Sequence, residues 1–183
     1  MRLAAIDIGS NAARLLISDV IPGLQNVPEF IKVALIRVPL RLGFDVFDKG
    51  EISPVKADNI IKTIKSYKLL LDVYGVKHLK ACATSAMRDA RNGDEIIKKV
   101  QAETGIGIEI ISGQEEASFI YENHVAENMT TAESYLYIDV GGGSTELTFF
   151  SDSKLVFKAS FNIGTIRLLK NQVTEAAWDE MKE

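Results

Sequence analysis

Apolar and polar residues alternate along residues 2–8 and again from Arg14 to Val20, with the polar stretch Asp7-Ile8-Gly9-Ser10-Asn11 between them. This predicts a β-hairpin with a polar tip. After breaks at Pro22-Gly23 and Val27-Pro28, Ile31 to Val38 predicts a third antiparallel strand, and Arg41-Leu42-Gly43-Phe44-Asp45 a loop. From Ser53-Pro54 the period changes. Ile60, Ile61, Ile64, Tyr67, Leu70 and Leu71 recur at helical spacing, predicting a helix to about Val73 with Ser53 as N-cap and Gly75 as terminator.

Val76 to Thr84 predicts the next strand, and Ala83-Thr-Ser-Ala-Met-Arg88 carries it into a second helical region that ends before Gly105. Ile108 to Ile111 predicts a short strand, and Ser112-Gly-Gln-Glu-Glu-Ala117 opens another helix, with Ile120, Tyr121 and His124 at packing positions. Ser112 and Glu115 have capping-box spacing, so Glu115 has a local structural task and its neighbour Glu116 has none. Tyr135 to Ile138, Glu146 to Phe150 and Leu155 to Phe161 predict three more strands, the last two joined at Ser151-Asp152-Ser153. Gly164 to Lys170 and Thr174 to Lys182 predict helices, the second capped by Thr174, with Trp178 and Met181 packing one turn apart.

Composition narrows the class. The 183 residues are 46% hydrophobic and carry a formal charge of -4, which suits a globular core and argues against general nucleic-acid binding. No apolar run approaches a membrane span, and the early Asp7 does not suit a secretory signal, so the expectation is a cytoplasmic protein. Cys82 is the only cysteine, excluding an intramolecular disulfide, and its setting favours a small core residue over a nucleophile.

The chemistry concentrates at Asp139-Val-Gly-Gly-Gly-Ser-Thr-Glu146, two acids around three glycines and two hydroxyls. Such a backbone can turn amide N–H groups onto a phosphate; the structural alternative is a tight hairpin whose glycines only supply positive φ. Ile6-Asp7-Ile8-Gly9-Ser10 repeats the pattern of Ile138-Asp139-Val140-Gly141-Gly142, so one device is used twice. The first copy is expected to fill residues 1–128. The second, from 129 to 183, is too short for an equivalent lobe and is expected to continue beyond Glu183.

Facing each other, the copies would place Asp7 and Asp139 at one polyanion, with Gly9, Gly141, Gly142 and Gly143 allowing close approach. Carboxylates alone repel phosphate, so a divalent ion, magnesium, is the expected intermediary. Ser10, Asn11, Ser144 and Thr145 can hydrogen-bond phosphate oxygens, and Glu116 or Glu146 could activate a water. Arg88, at a strand-to-helix turn, is the candidate cation, unless it pairs at the surface with Asp89 or Asp94.

Asp7-Ile-Gly-Ser-Asn11, Ala83-Thr-Ser-Ala-Met-Arg88, Ile110-Ile-Ser-Gly-Gln-Glu-Glu-Ala117 and Ile138-Asp-Val-Gly-Gly-Gly-Ser-Thr-Glu146 together resemble the exopolyphosphatase and guanosine-pentaphosphate phosphohydrolase family. The resemblance implies an α/β chain: a ribonuclease-H-like, actin-like ATPase lobe with a mixed sheet flanked by helices, then the start of a second similar lobe. It also implies magnesium-dependent removal of terminal phosphate from polyphosphate or pppGpp. In it Glu116 matches the catalytic base and Glu146 the second essential acid. Asp7, Gly9 and Asn11 match one phosphate loop, Asp139 and Gly141 to Ser144 the other, and Arg88 an arginine at the phosphate. Asp7, Asp139 and Glu146 are the metal candidates. A monovalent cation beside magnesium and a homodimer are further candidates; membranes and specific nucleic acids are not expected partners. Two departures stand out, Phe44 where an acid is usual and Ala12 where a small hydroxyl is usual. The alternatives are an actin- or sugar-kinase-like ATP-binding protein and a non-catalytic alarmone-binding regulator.

Overall fold

A computed structural model describes residues 1–23, 28–119, 134–152 and 154–183 in full, and 120–125 by their backbone. The expectations for Val27, for the side chains of Ile120, Tyr121 and His124, for Ser153 and for a boundary at 128/129 lie outside the described residues. Strands β1 (Arg2–Ile8), β2 (Ala13–Pro22) and β3 (Pro28–Val38) form an antiparallel meander. β4 (His78–Ala83) lies parallel to β1, and β5 (Glu109–Ile110) parallel to β4, giving the order β3-β2-β1-β4-β5. That mixed order is the ribonuclease-H-like arrangement. A separate three-stranded antiparallel sheet follows, of β6 (Tyr135–Val140), β7 (Thr145–Ser151) and β8 (Lys154–Phe161).

Period-two alternation divides the first sheet into two faces. Ala4, Ile6 and Ile8 of β1, Ala13, Leu15 and Ile17 of β2, and Ala81 and Ala83 of β4 turn inward. Against them pack α2 (Pro54–Tyr74) and α4 (Gly93–Thr104) through Ile60, Ile64, Tyr67, Ile96 and Val100. Ile60 and Ile64 are fully buried, each contributing about 2–3 kcal/mol by area removed from water. The Tyr67 hydroxyl donates to Ala13 O at 3.0 Å, tying the helix to the sheet without stranding a buried polar group. The opposite face carries Ala5, Asp7, Arg14, Lys80 and Cys82, and this is the face that meets the cleft.

Helix α2 ends where Gly75 takes φ 64° and its N–H caps Leu71 O and Asp72 O. Three local expectations are corrected. Residues 43–49 form a short helix, α1 (Gly43–Lys49), because Leu42, Val46 and Phe47 reach the core from one face. Ser53 makes no hydroxyl cap; its backbone N–H donates to Asp45 at 3.2 Å, and Asp45 also holds Lys56 at 2.5 Å. The helical region after β4 is two helices, α3 (Ser85–Asp89) and α4. Asn92 at the break exchanges two hydrogen bonds with the Ile52 backbone, at 3.0 and 2.8 Å.

Helix α5 (Gly113–Val125) lies against β7 and β8. Short α6 (Thr165–Leu169) sits on the glycine turn between β6 and β7, and α7 (Glu175–Lys182), capped by Thr174 as its sequence predicts, packs Trp178 and Met181 beside Phe161 and Ile163. Among the described residues no helix is long and apolar enough to cross a membrane.

Candidate active site

The internal repeat is a repeat of hydrogen bonding. In the β1–β2 turn Gly9 N–H donates to Ala12 O at 3.0 Å, and in the β6–β7 turn Gly141 N–H donates to Ser144 O at 2.9 Å. An aspartate lies two residues before each glycine. Across the ladder Asp7 faces Arg14, and Asp139 faces Glu146. Both turns open onto one cleft of about 640 Å³, lined also by Glu116 and Phe119 from α5 and by Lys80 and Cys82 from β4.

The glycines of the second turn provide space and not positive φ, since positive φ among glycines occurs only at Gly50, Gly75 and Gly105. A Cβ on Gly142 would lie 3.0 Å from Ser10 Cβ, and one on Gly143 would lie 2.4 Å from Ser85 Oγ and 2.6 Å from the Phe47 ring. Gly164, beginning α6, would drive a Cβ to 2.5 Å from the Gly142 and Gly143 backbone. The second loop is therefore pressed between the first turn, α3 and α6. Arg167 fastens it: Nε donates to Gly143 O at 2.6 Å, Nη2 pairs with Asp89, and the guanidinium stacks 4.2 Å from the Phe47 centroid.

Of the residues singled out by sequence, Asp7, Gly9, Ser10, Asn11, Glu116, Asp139, Gly141, Gly142, Ser144 and Glu146 line the cleft. Three do not. Gly143 is buried against Ser85 and Phe47. The Thr145 hydroxyl turns away to donate to Ile163 O at 2.5 Å. Arg88 stands behind Glu116, donating to Ile111 O at 2.6 Å and approaching Glu116 Oε2 to 3.9 Å; neither surface alternative forms, since Asp89 pairs with Arg167 and no ion pair joins Arg88 to Asp94. Ser10 is buried, with its hydroxyl 2.8 Å from Ser85 Oγ and its carbonyl accepting from Gly43 N–H at 2.8 Å. Cys82 is a half-buried cleft residue instead of a core one, and burial raises its thiol pKa, which suppresses thiolate chemistry.

The acids separate as the capping pattern predicts. The Ser112 N–H and hydroxyl each donate to Glu115 Oε2 at 2.8 Å, which holds the Glu115 carboxyl below its ordinary pKa, and Glu115 N–H donates back to Ser112 Oγ at 3.2 Å. Glu116, one residue on, points into the cleft wall. Its Oε2 is buried and accepts no hydrogen bond from a described residue. Burial first, then the negative charge of Glu146, raises its pKa to about 8, against the pull of Arg88. Burial also raises Glu146 and Asp7, each of which feels Asp139. Asp7 is partly neutralised by Arg14 at 3.1 Å. Among the described residues neither Asp139 nor Glu146 has an ion-pair partner within 4.0 Å.

Sequence reasoning missed Arg14, Arg167 and Lys80. Arg14 had a signal, because it occupies in the first repeat the place of Glu146 in the second. Arg167 had none, since its partners Asp89 and Gly143 are brought to it only by the fold.

A ribonuclease-H-like sheet with a repeated Asp-x-Gly turn at its cleft defines the class of fold. A profile of the Ppx/GppA phosphatase family matches residues 20–182, and the chain belongs to that family. It is 34% identical over 168 residues to the bifunctional 3-dehydroquinate synthase/phosphatase of Fusobacterium nucleatum, a match covering 90% of this chain and 25% of that protein. To exopolyphosphatase 1 of Mycobacterium tuberculosis it is 31% identical over 170 residues, covering 93% and 48%. The crystal structure of an exopolyphosphatase from Cytophaga hutchinsonii superposes with TM-score 0.81 at 30% identity, covering 93% of this chain and 53% of that one. The Aquifex aeolicus Ppx/GppA family member gives TM-score 0.79 at 29% identity, covering 98% and 58%. The chain thus spans half or less of the length of these two curated relatives.

Proposed function

We propose that this chain supplies the phosphate-gripping cleft and the water-activating carboxylate of a phosphoanhydride hydrolase, acting on the terminal phosphate of inorganic polyphosphate, of pppGpp, or of both. The observation that carries this reading is Glu116: a buried carboxylate oxygen without a donor, in the wall of a cleft closed by two Asp-x-Gly turns. The names of the curated exopolyphosphatases support the substrate class.

In this reading the Gly9 and Gly141 turns let the backbone approach successive phosphates, with the Asn11 side-chain amide as a donor beside them. Glu116 takes a proton from water as the water oxygen bonds to the terminal phosphorus. The bond from that phosphorus to the bridging oxygen breaks, and the shortened chain leaves with the electron pair. A base must be ionised to act, so the raised pKa makes turnover increase with pH towards about 8.

The carboxylates fit magnesium. Asp7, Asp139 and Glu146 face one cleft, and the last two have no ion-pair partner within 4.0 Å among the described residues. Among the described residues no three acids, histidines or cysteines are grouped closely enough to hold an ion alone, which suits an ion that keeps waters and takes phosphate oxygens. Bound there, magnesium would supply charge neutralisation at the phosphates. The second sheet is read as the start of a second lobe.

The test is phosphate release from polyphosphate, pppGpp and ATP by the natural full-length protein. Release from polyphosphate or pppGpp well above that from ATP is expected. ATP binding or turnover in preference to both would overturn the reading in favour of a kinase-like protein, and tight pppGpp binding without release in favour of a regulator.

A further inference from the structure

Glu146 and Glu116 come from β7 and α5, which touch each other and share a third neighbour, β8. Ser160, near the end of β8, donates its hydroxyl to Glu146 Oε1 at 2.7 Å. Glu146 is only 2% exposed, so this donor, with Ser144, is what orients an otherwise long and flexible buried carboxylate.

The same serine meets α5. A Cβ at Gly113, the first residue of that helix, would fall 2.5 Å from Ser160 Oγ, 2.7 Å from Ser160 Cβ and 4.0 Å from an Arg88 guanidinium nitrogen. Gly113 φ is not positive, so the missing side chain is needed for approach and not for backbone conformation. One turn further along α5, Lys158 from β8 donates to Ser118 Oγ at 2.5 Å. β8 therefore holds α5 at two points, and the upper one is also the hydrogen bond to Glu146.

Resting on the function proposed above, we infer that Ser160 is a positioning residue: its hydroxyl, seated against Gly113, fixes the Glu146 carboxylate relative to Glu116 across the gap that receives the terminal phosphate and its water. Ser160 does not line the cleft and acts only through Glu146. A loosened Glu146 misplaces the reacting groups, and small misplacements are costly to turnover.

The experiment measures phosphate release from polyphosphate by the full-length protein over a range of substrate concentrations, with melting temperature recorded for each variant. Ser160→Ala is expected to lower kcat roughly ten- to hundredfold, the effect of one hydrogen bond to a charged group, with KM within about twofold. Ser160→Thr, which keeps the hydroxyl, restores most of kcat. Gly113→Ala pushes Ser160 aside and lowers kcat similarly, and the double variant loses no more than either alone. Wild-type kcat in Ser160→Ala overturns the inference, as does a loss that Thr does not rescue and that follows the melting temperature. Glu146→Gln separates the two claims. If it abolishes turnover while Ser160→Ala does not, only the role of Ser160 falls; if it too is fully active, the reading of the site falls with it.

Discussion

The β1–β2 and β6–β7 hairpins share a turn hydrogen bond and an aspartate two residues before its glycine, but across the ladder one offers Arg14 and the other Glu146. The first hairpin carries its own counter-charge. The second presents two acids with no ion-pair partner within 4.0 Å among the described residues, and so it is the natural seat for the divalent ion in the proposed function. Their glycines differ as well. A Cβ on Gly9 would meet only Ala12 O, at an ordinary 3.5 Å, whereas Gly142, Gly143 and Gly164 are packed against neighbouring side chains and backbone. Identical-looking glycines therefore answer different demands: Gly142 and Gly143 are required by the packing around them, whereas nothing in the fold crowds Gly9, which in the proposed function serves the close approach of a phosphate.

Substitutions at these glycines should separate the two demands. Gly164→Ala places a Cβ 2.5 Å from backbone that cannot give way, and is expected to destabilise the fold by about 3 kcal/mol in denaturant unfolding, with binding lost alongside. Gly9→Ala should leave the melting temperature unchanged while raising KM for polyphosphate about tenfold, the loss of one close backbone contact of roughly 1.4 kcal/mol. An equal fall in stability at Gly9 would erase the distinction.

Charge gives two further effects. Glu116 has a folded pKa of about 8 against an ordinary 4.5, so between those values the folded protein holds a proton that the unfolded chain has released. Stability that is complete below pH 4.5 is lost as pH rises towards 8, by on the order of a few kcal/mol. Unfolding without divalent cations should show this decline in the wild type and its absence in Glu116→Gln. Arg14→Gln removes an ion pair whose side chains are 54% and 43% exposed, and should change stability by less than about 1 kcal/mol. A larger loss would mean that the first hairpin depends on its internal pair for folding as well as for charge.

Much of this was legible from local pattern. The face of α2, the Gly75 stop and the division of labour between Glu115 and Glu116 each depend on residues within a turn or two of one another. Helix α1 was not, because its seven residues are too few for a period to declare itself and it forms on the core through Val46 and Phe47. The Arg167 clamp was not, because it joins residues 78 positions apart in sequence. Thr145 shows the same limit at a smaller scale. Its place beside the glycines suggests a phosphate ligand, yet by strand alternation its two neighbours, Ser144 and Glu146, take the cleft, and its own hydroxyl goes to Ile163.

In the proposed function the two loops grip phosphate while Glu116 activates water, so gripping and turnover should come apart at that one residue. Polyphosphate binding and phosphate release, measured side by side on full-length wild type and Glu116→Gln, test it directly. The account predicts binding within a few-fold of wild type and release lowered at least about a hundredfold. Release at the wild-type rate from Glu116→Gln would contradict it.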